Sequence, residues 1–331
     1  MPTAEYAARF PQHRANGFFR ETAGLTVSSL GIGTYLGAPD DAADRNYAEA
    51  LEAAMRGGVN FIDTSLNYRA QRSERTIGQV LRSFPREEFV IATKAGYLVP
   101  GALPPAGPRT LEIIANQHSM APAFLKHQLE TSLANLGAGS VDIFYLHNPE
   151  TQLAHIPEPE FFLRIERAFA ACEELAAAGK LRYYGLATWS GFRKKTGEPG
   201  ALSLERILEC ARRAGGALHR FRFLQLPLNL GMCEALANSV LFQAEAAGLH
   251  VVASASLMQA RLASGLPAEI GRRLPGPVTD AQRALQFSRS APGVAVALAG
   301  MGRRDHVLEN LGLAGFAPAA RAPWDSRCAE R

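Results

Sequence analysis

Val59-Asn-Phe-Ile-Asp-Thr64, then Ser73-Glu-Arg-Thr-Ile-Gly-Gln-Val-Leu-Arg-Ser83, then Phe89-Val-Ile-Ala-Thr-Lys94 follow in close succession: an apolar run, a segment of helical period, and a second apolar run. The runs are continuously apolar rather than alternating, as parallel strands covered on both faces must be. The rhythm extends in both directions. Ser29–Tyr35, Val141–His147, Tyr183–Thr188, Phe223–Asn229, His250–Ser256 and Val294–Ala299 bring the candidate strands to eight. Between them, Ala43–Arg56, Ala121–Leu136, Glu160–Ala178, Leu202–Ala214, Cys233–Ala247 and Thr279–Ser288 carry apolar residues at helical spacing. Gly57-Gly58 supplies a natural stop for the first of these. Asn310 is expected to open the last turn or to cap another helix.

Eightfold strand–helix alternation predicts an α/β fold: a single (β/α)8 TIM barrel over residues 1–331, with long loops on its C-terminal face. The competing open, doubly wound sheet would carry Gly-x-Gly-x-x-Gly after its first strand. Here Gly31-Ile-Gly33-Thr-Tyr-Leu-Gly37 sets the third glycine one place too late. Three long loops, Gly96–Met120, Ser190–Gly200 and Met258–Val278, all follow strands and so belong to the face where barrels keep their sites. The first, rich in Pro and Gly, is expected to act as a substrate lid.

Composition narrows the classes. Of 331 residues 47% are hydrophobic, enough for a large core. Net charge is only +4, and the densest basic spots, Arg193-Lys194-Lys195 and Arg303-Arg304, are short. Neither a nucleic-acid stripe nor a polybasic membrane patch is present. No apolar stretch reaches the roughly 18 residues that span a bilayer, and Met1–Arg20 lacks a secretory pattern. Cys172, Cys210, Cys233 and Cys328 are spaced too widely for a metal-binding pair and read as reduced, so the protein is expected to be cytoplasmic.

Chemistry gathers at the strand ends. Asp63 ends one run and Tyr68 follows it; Lys94 and His147 end the next two. An ionisable group ending an apolar strand is costly unless paired, and Asp63 and Lys94 lie on neighbouring strands. Tyrosine titrates near pH 10, and a nearby ammonium is expected to lower that value. Tyr68 could then exchange a proton with a carbonyl oxygen that receives hydride, while His147 hydrogen-bonds the same oxygen. Taken singly, each residue reads more simply as a cap, a snorkelling lysine, a structural histidine or a packing ring. Together, with complementary chemistry on one face, they read as a site.

The sequence resembles the aldo-keto reductases over nearly its whole length. Gly24-Leu-Thr-Val-Ser-Ser-Leu-Gly-Ile-Gly33-Thr34 is similar to that family's entry into its first strand. Gly58-Val-Asn-Phe-Ile-Asp63-Thr64, Asn67-Tyr68 and Arg72-Ser73-Glu74-Arg-Thr-Ile-Gly78 resemble its main signature. The resemblance implies a tetrad of Asp63, Tyr68, Lys94 and His147, with Tyr68 as general acid/base, Lys94 and Asp63 tuning it, and His147 orienting the carbonyl. It implies an NADPH or NADH cofactor held by Gly33, Thr34, Asp63, Thr188, Gln225, Ser254, Leu257, Gly300, Gly302, Arg303, Arg304, Glu309 and Asn310. Gln225 would hold the carboxamide, and Glu309 with Asn310 the adenine. Ala187-Thr188 stands where the family usually has Ser and Asn, and Ser254 where many members stack an aromatic ring. Gly300 and His306 replace basic residues that grip a 2′-phosphate, a role open to Arg303 or Arg304. Substrate contacts fall to Tyr35, Tyr68, Tyr97 and His147.

The implied function is carbonyl–alcohol interconversion on a small aldehyde, ketone or aldose, with sugar oxidation a variant that the same tetrad would serve. The alternative is a cofactor-binding regulatory subunit with vestigial catalysis. A metal-dependent barrel hydrolase would need clustered ligands, and the eight histidines are scattered. Oligomeric state is not legible.

Overall fold

The computed structural model describes residues 2–107, 109–195 and 197–319. Eight parallel strands close into a barrel in the order β10-β3-β4-β5-β6-β7-β8-β9. They are β3 (Leu30–Gly33), β4 (Phe61–Asp63), β5 (Val90–Ala95), β6 (Val141–His147), β7 (Leu181–Ala187), β8 (Phe221–Pro227), β9 (His250–Ser254) and β10 (Val294–Ala299). Each lies within two residues of its expected start. An antiparallel hairpin precedes them, β1 (Phe19–Thr22) and β2 (Leu25–Ser28), which the sequence reading missed. Its turn, Ala23-Gly24, has φ of 49° and 70°, and such left-handed pairs match the twist of a two-residue hairpin.

Side chains alternate across each strand and sort the core into two layers. Phe61, Ala92, Ile143, Tyr145, Phe223 and Val252 point inward and pack with Leu25 and Val27 of the hairpin. The intervening Ile62, Ile91, Phe144, Leu146, Leu224 and Val251 belong to the outer cluster that includes the helices. The same parity decides the site. Two residues beyond Phe61, Ala92, Tyr145, Phe223 and Val252, on the same face, come Asp63, Lys94, His147, Gln225 and Ser254. All five therefore crown the barrel's C-terminal end.

Helices Asp41–Arg56, Arg72–Leu81, Pro122–Leu136, Glu158–Ala177, Leu204–Gly215 and Asp280–Ser290 match the expected segments within three residues. Local chemistry sets their ends. Asp40 accepts from Ala43 N at 2.8 Å, Thr279 and Gln282 form a capping box, and Gly137 closes its helix in the left-handed conformation. Two expectations are corrected. The segment Cys233–Ala247 is two short helices, Glu234–Ala237 and Val240–Ala246, because Ser239 turns left-handed (φ 59°) between them. Asn310 neither opens nor caps a helix but lies in the last turn of Arg304–Leu311.

The loop expected to act as a substrate lid meets the cavity at one described residue. Loop 96–120 is tied to itself by Leu98 N on Gln117 O and Ser119 N on Gly96 O, both 2.8 Å. Among its described residues only Tyr97 reaches the cavity below. Cys172 and Cys210 are buried free thiols, and Cys328 lies outside the described residues. Among the described residues no helix is long and apolar enough to cross a membrane.

Candidate active site

Asp63, at the end of β4, is buried and takes two charge-assisted hydrogen bonds. Lys94 Nζ donates to Oδ2 at 2.6 Å, and Gln225 Nε2 donates to Oδ1 at 2.6 Å. Lys94 donates again to the carbonyl of Thr64 at 2.8 Å and is fully buried. Burial drives the carboxyl's pKa up and the ammonium's down, and the contact between them opposes both shifts. The ammonium also sits 4.9 Å from the centroid of the Tyr68 ring.

Tyr68 borders the cavity, with Tyr35 edge-on at 5.0 Å and His147 at 5.9 Å between centroids. Its phenol is not acidified, contrary to expectation. Burial raises its pKa well above 10, and the negative charge of Asp63 adds to the rise. His147 is driven well below 6.5 by burial and by the nearby Lys94, so its ring is neutral. Nδ1 of His147 lies 3.2 Å from Ser65 Oγ, and its carbonyl meets His118 Nε2 at 2.8 Å. Gly96 makes that second contact possible. A Cβ there would stand 2.7 Å from His147 O and 2.8 Å from His118 Nε2.

The chain leaves Tyr68 through a strained turn. Arg69, Ala70 and Gln71 have φ of 49°, 53° and 71°. Left-handed backbone costs a non-glycine residue about 1–2 kcal/mol. Arg69 holds the run, donating to Ala38 O at 2.9 Å, Asp40 O at 3.2 Å and Asp44 Oδ1 at 2.5 Å. Ala70 alone of the three is exposed, so its methyl contributes no packing. Ala70→Gly should remove that cost and give back about 0.4–1 kcal/mol through a looser unfolded chain. The expected net gain is about 0.5–1 kcal/mol in urea unfolding; a lowered midpoint would contradict the strain.

From this cluster a cavity of about 750 Å³ runs toward the N-terminal side of helix 304–311. It brings together Gly33, Asp63, Tyr68, His147, Thr188, Gln225, Ser254, Leu257, Gly300, Gly302, Arg303, Glu309 and Asn310, with Tyr35 and Tyr97 at its mouth. Three expected residues, Thr34, Arg304 and Lys94, are not on its wall. Thr34 is buried behind it, donating to Asp63 O at 3.1 Å and accepting from Ser73 Oγ at 2.8 Å. Arg304 opens its helix and is exposed outside the cavity, while Arg303 borders it. Thr188 borders the cavity, but its Oγ1 already accepts from Gly191 N at 2.9 Å. Lys94 acts from behind Asp63 and does not border the cavity.

Several wall residues escaped the sequence reading: Trp189, Asn67, Asn148 and Tyr47. Trp189 is 45% exposed and directly follows a strand-end threonine, a position that strand counting could have flagged. Its amide and that of Ser190 donate to Glu150 Oε1 at 2.8 and 2.9 Å, which fixes the loop after β7. Tyr47 has no such signal; it arrives from helix 41–56, its hydroxyl on Leu36 O at 2.8 Å. Gly302 packs closely opposite it: a Cβ there would stand 3.1 Å from the Tyr47 ring, which would have to shift by a few tenths of an ångström.

Residues 29–194 match the model of the aldo/keto reductase family. The chain belongs to that family. It is 32% identical over 174 residues to the NADH-specific methylglyoxal reductase of Escherichia coli K12, covering 50% of each chain. It is 30% identical over 178 residues to the D-threo-aldose 1-dehydrogenase of a Pseudomonas species, covering 50% of this chain and 51% of the relative. The chain thus spans about half the length of these curated relatives in the matched region. An aldo/keto reductase from Klebsiella pneumoniae, solved with NADP and acetate, shares the fold with a TM-score of 0.66 at 22% identity, over 91% of this chain and 90% of that one. Membership accounts for the barrel.

Proposed function

We propose that this chain interconverts a carbonyl and an alcohol using NADPH or NADH bound along the groove. The observation that carries the reading is the stack of Tyr68 on an ammonium that is itself bonded to Asp63, beside a neutral His147. The far end of the groove fits a dinucleotide. Asn310 Oδ1 is buried without a partner, an acceptor available to an adenine amine. Glu309 lies beside it, Arg303 is available to phosphate, and Gln225 and Ser254 are available to the nicotinamide. When bound, the nicotinamide would supply or accept a hydride at the substrate carbon.

Tyr68, kept protonated by burial, is suited to donate to the carbonyl oxygen as negative charge develops there. Lys94 then acts less on the resting phenol than on the phenolate left behind, which would face an ammonium in a dry site. Neutral His147 is suited to hydrogen-bond the same oxygen. Reduction should hold a flat pH–rate profile from about pH 6.5 to about pH 9, because neither the raised phenol nor the depressed imidazole titrates there. Steady-state rates across that range check this; a descending limb near pH 8 would remove Tyr68 as the proton donor.

Small aldehydes and free aldoses are the proposed substrates, in line with the names of the relatives and with a mouth of Tyr35, Tyr97 and Trp189. Arg303 supports NADPH over NADH. It is an exposed guanidinium on the groove wall, and Asp305, 3.9 Å away, is its ion-pair partner. Arg303→Ala should raise the Kd for NADPH about fivefold, the scale of one exposed charge contact, and leave NADH unchanged. Equal weakening of both, by fluorescence titration, would mean that no phosphate contact exists.

A further inference from the structure

Ser65 follows the strand end Asp63-Thr64, and its side chain is buried. Its hydroxyl has a single proton and three acceptors in reach: Asn67 Oδ1 at 2.7 Å, Lys94 O at 3.2 Å and His147 Nδ1 at 3.2 Å. The other ring nitrogen of His147 has no hydrogen bond among the described residues, and the ring borders the cavity. A neutral imidazole carries one N–H, so the role of Nδ1 dictates what Nε2 offers a ligand. We propose that Ser65, backed by Asn67, sets which ring nitrogen of His147 carries the proton and so makes Nε2 the donor that meets a substrate carbonyl. The proposal rests on the carbonyl–alcohol reading above and assigns Ser65 as a positioning residue.

The three acceptors give two arrangements. With Ser65 donating to Asn67 Oδ1 or to Lys94 O, its oxygen accepts from Nδ1–H, and Nε2 is a bare acceptor. A half-turn of the Asn67 amide presents Nδ2 to Ser65 Oγ instead. Ser65 then donates to Nδ1, and the ring proton resides on Nε2. The proton count is unchanged: the ring releases one proton at Nδ1 and takes one at Nε2 from cavity water. Asn67 itself borders the cavity, so a substrate that reaches Nε2 also reaches the amide that sets its proton. The ring's direction is already held, by Tyr97 edge-on at 5.1 Å and by His118 on the backbone carbonyl, which leaves the tautomer as the free variable.

Nitrogen-15 spectra of histidine-labelled protein, with His147 assigned through His147→Gln, test this in the dead-end complex with NADP+ and benzaldehyde. Wild type should carry the proton on Nε2. Asn67→Asp, whose carboxylate can only accept from Ser65, should shift it to Nδ1, whereas Ser65→Ala leaves Nδ1 without a partner and should leave the ring divided between its two tautomers. Both should lower kcat for benzaldehyde reduction, the aspartate variant roughly tenfold, the scale of one hydrogen bond, with KM for NADPH unchanged. Ser65→Thr, which keeps the hydroxyl, should match wild type in both readouts. A ring proton that stays on Nε2 in the aspartate variant overturns the proposal, whatever happens to the rate. Failure of wild type to reduce any aldehyde with either cofactor would instead count against the carbonyl–alcohol reading, and the spectra would still decide the role of Ser65.

Discussion

Tyr68→Phe should lower aldehyde reduction by roughly a hundred- to ten-thousand-fold while leaving cofactor affinity within about twofold. The substitution removes one oxygen and keeps the ring. That ring makes the packing contacts, with Lys94 Nζ at 4.9 Å, Tyr35 at 5.0 Å and His147 at 5.9 Å from its centroid. The hydroxyl faces the cavity rather than a protein partner, so its loss should leave stability unchanged. Any fall in rate therefore reports the proton transfer rather than folding. Stopped-flow consumption of NADPH with saturating aldehyde separates this step from product release. Turnover within threefold of wild type would sink the acid/base assignment, and a matching loss of NADPH affinity would move Tyr68 from chemistry to binding.

The four clustered residues show where sequence reasoning succeeds and where it stops. Asp63, Lys94 and His147 were legible because each is an ionisable side chain that ends a continuously apolar run, and the strands' pleat then explains where they point. A polar residue two places beyond an inward Phe61, Ala92 or Tyr145 must crown the barrel. The acidity of Tyr68 was not legible. A neighbouring ammonium was expected to lower it, but the outcome depends on how far the ring is buried and on Asp63 standing behind the lysine. Both are tertiary quantities. The hairpin Phe19–Thr22 and Leu25–Ser28 hid for another reason. Leu25 and Val27 plug a barrel floor whose existence has to be known before their inward faces mean anything. Arg304 was put forward beside Arg303 for the phosphate chemistry of guanidinium, yet Arg303 is the extended residue before the helix and Arg304 its first residue, and only Arg303 borders the groove. Ser239 broke an expected helix because a single left-handed residue interrupts the hydrogen-bond ladder even where Glu234-Ala-Leu-Ala and Gln243-Ala-Glu-Ala favour helix on both sides.

Lys94→Met should cost about 3–5 kcal/mol of stability, the scale for removing one partner of a buried ion pair. Methionine matches the length of the lysine stem but leaves Asp63 with the Gln225 bond alone and no opposing charge. Uncompensated, the buried carboxyl's pKa climbs further above its unfolded value. An acid whose folded pKa is raised binds its proton more tightly in the folded state. The variant's deficit should therefore be smallest at acid pH, where Asp63 is protonated in both states, and should grow as pH rises through the folded value. Asp63→Asn in the same background keeps an amide oxygen for Gln225 and removes the stranded charge. The double variant should recover most of the lost stability yet none of the activity, because the phenolate of Tyr68 would still face no ammonium. Urea midpoints at pH 5 and pH 8 for wild type, single and double variants test this. A single-variant deficit that is equal at the two pH values, or a double variant no more stable than the single, would mean that Lys94 is packed against Asp63 without neutralising it.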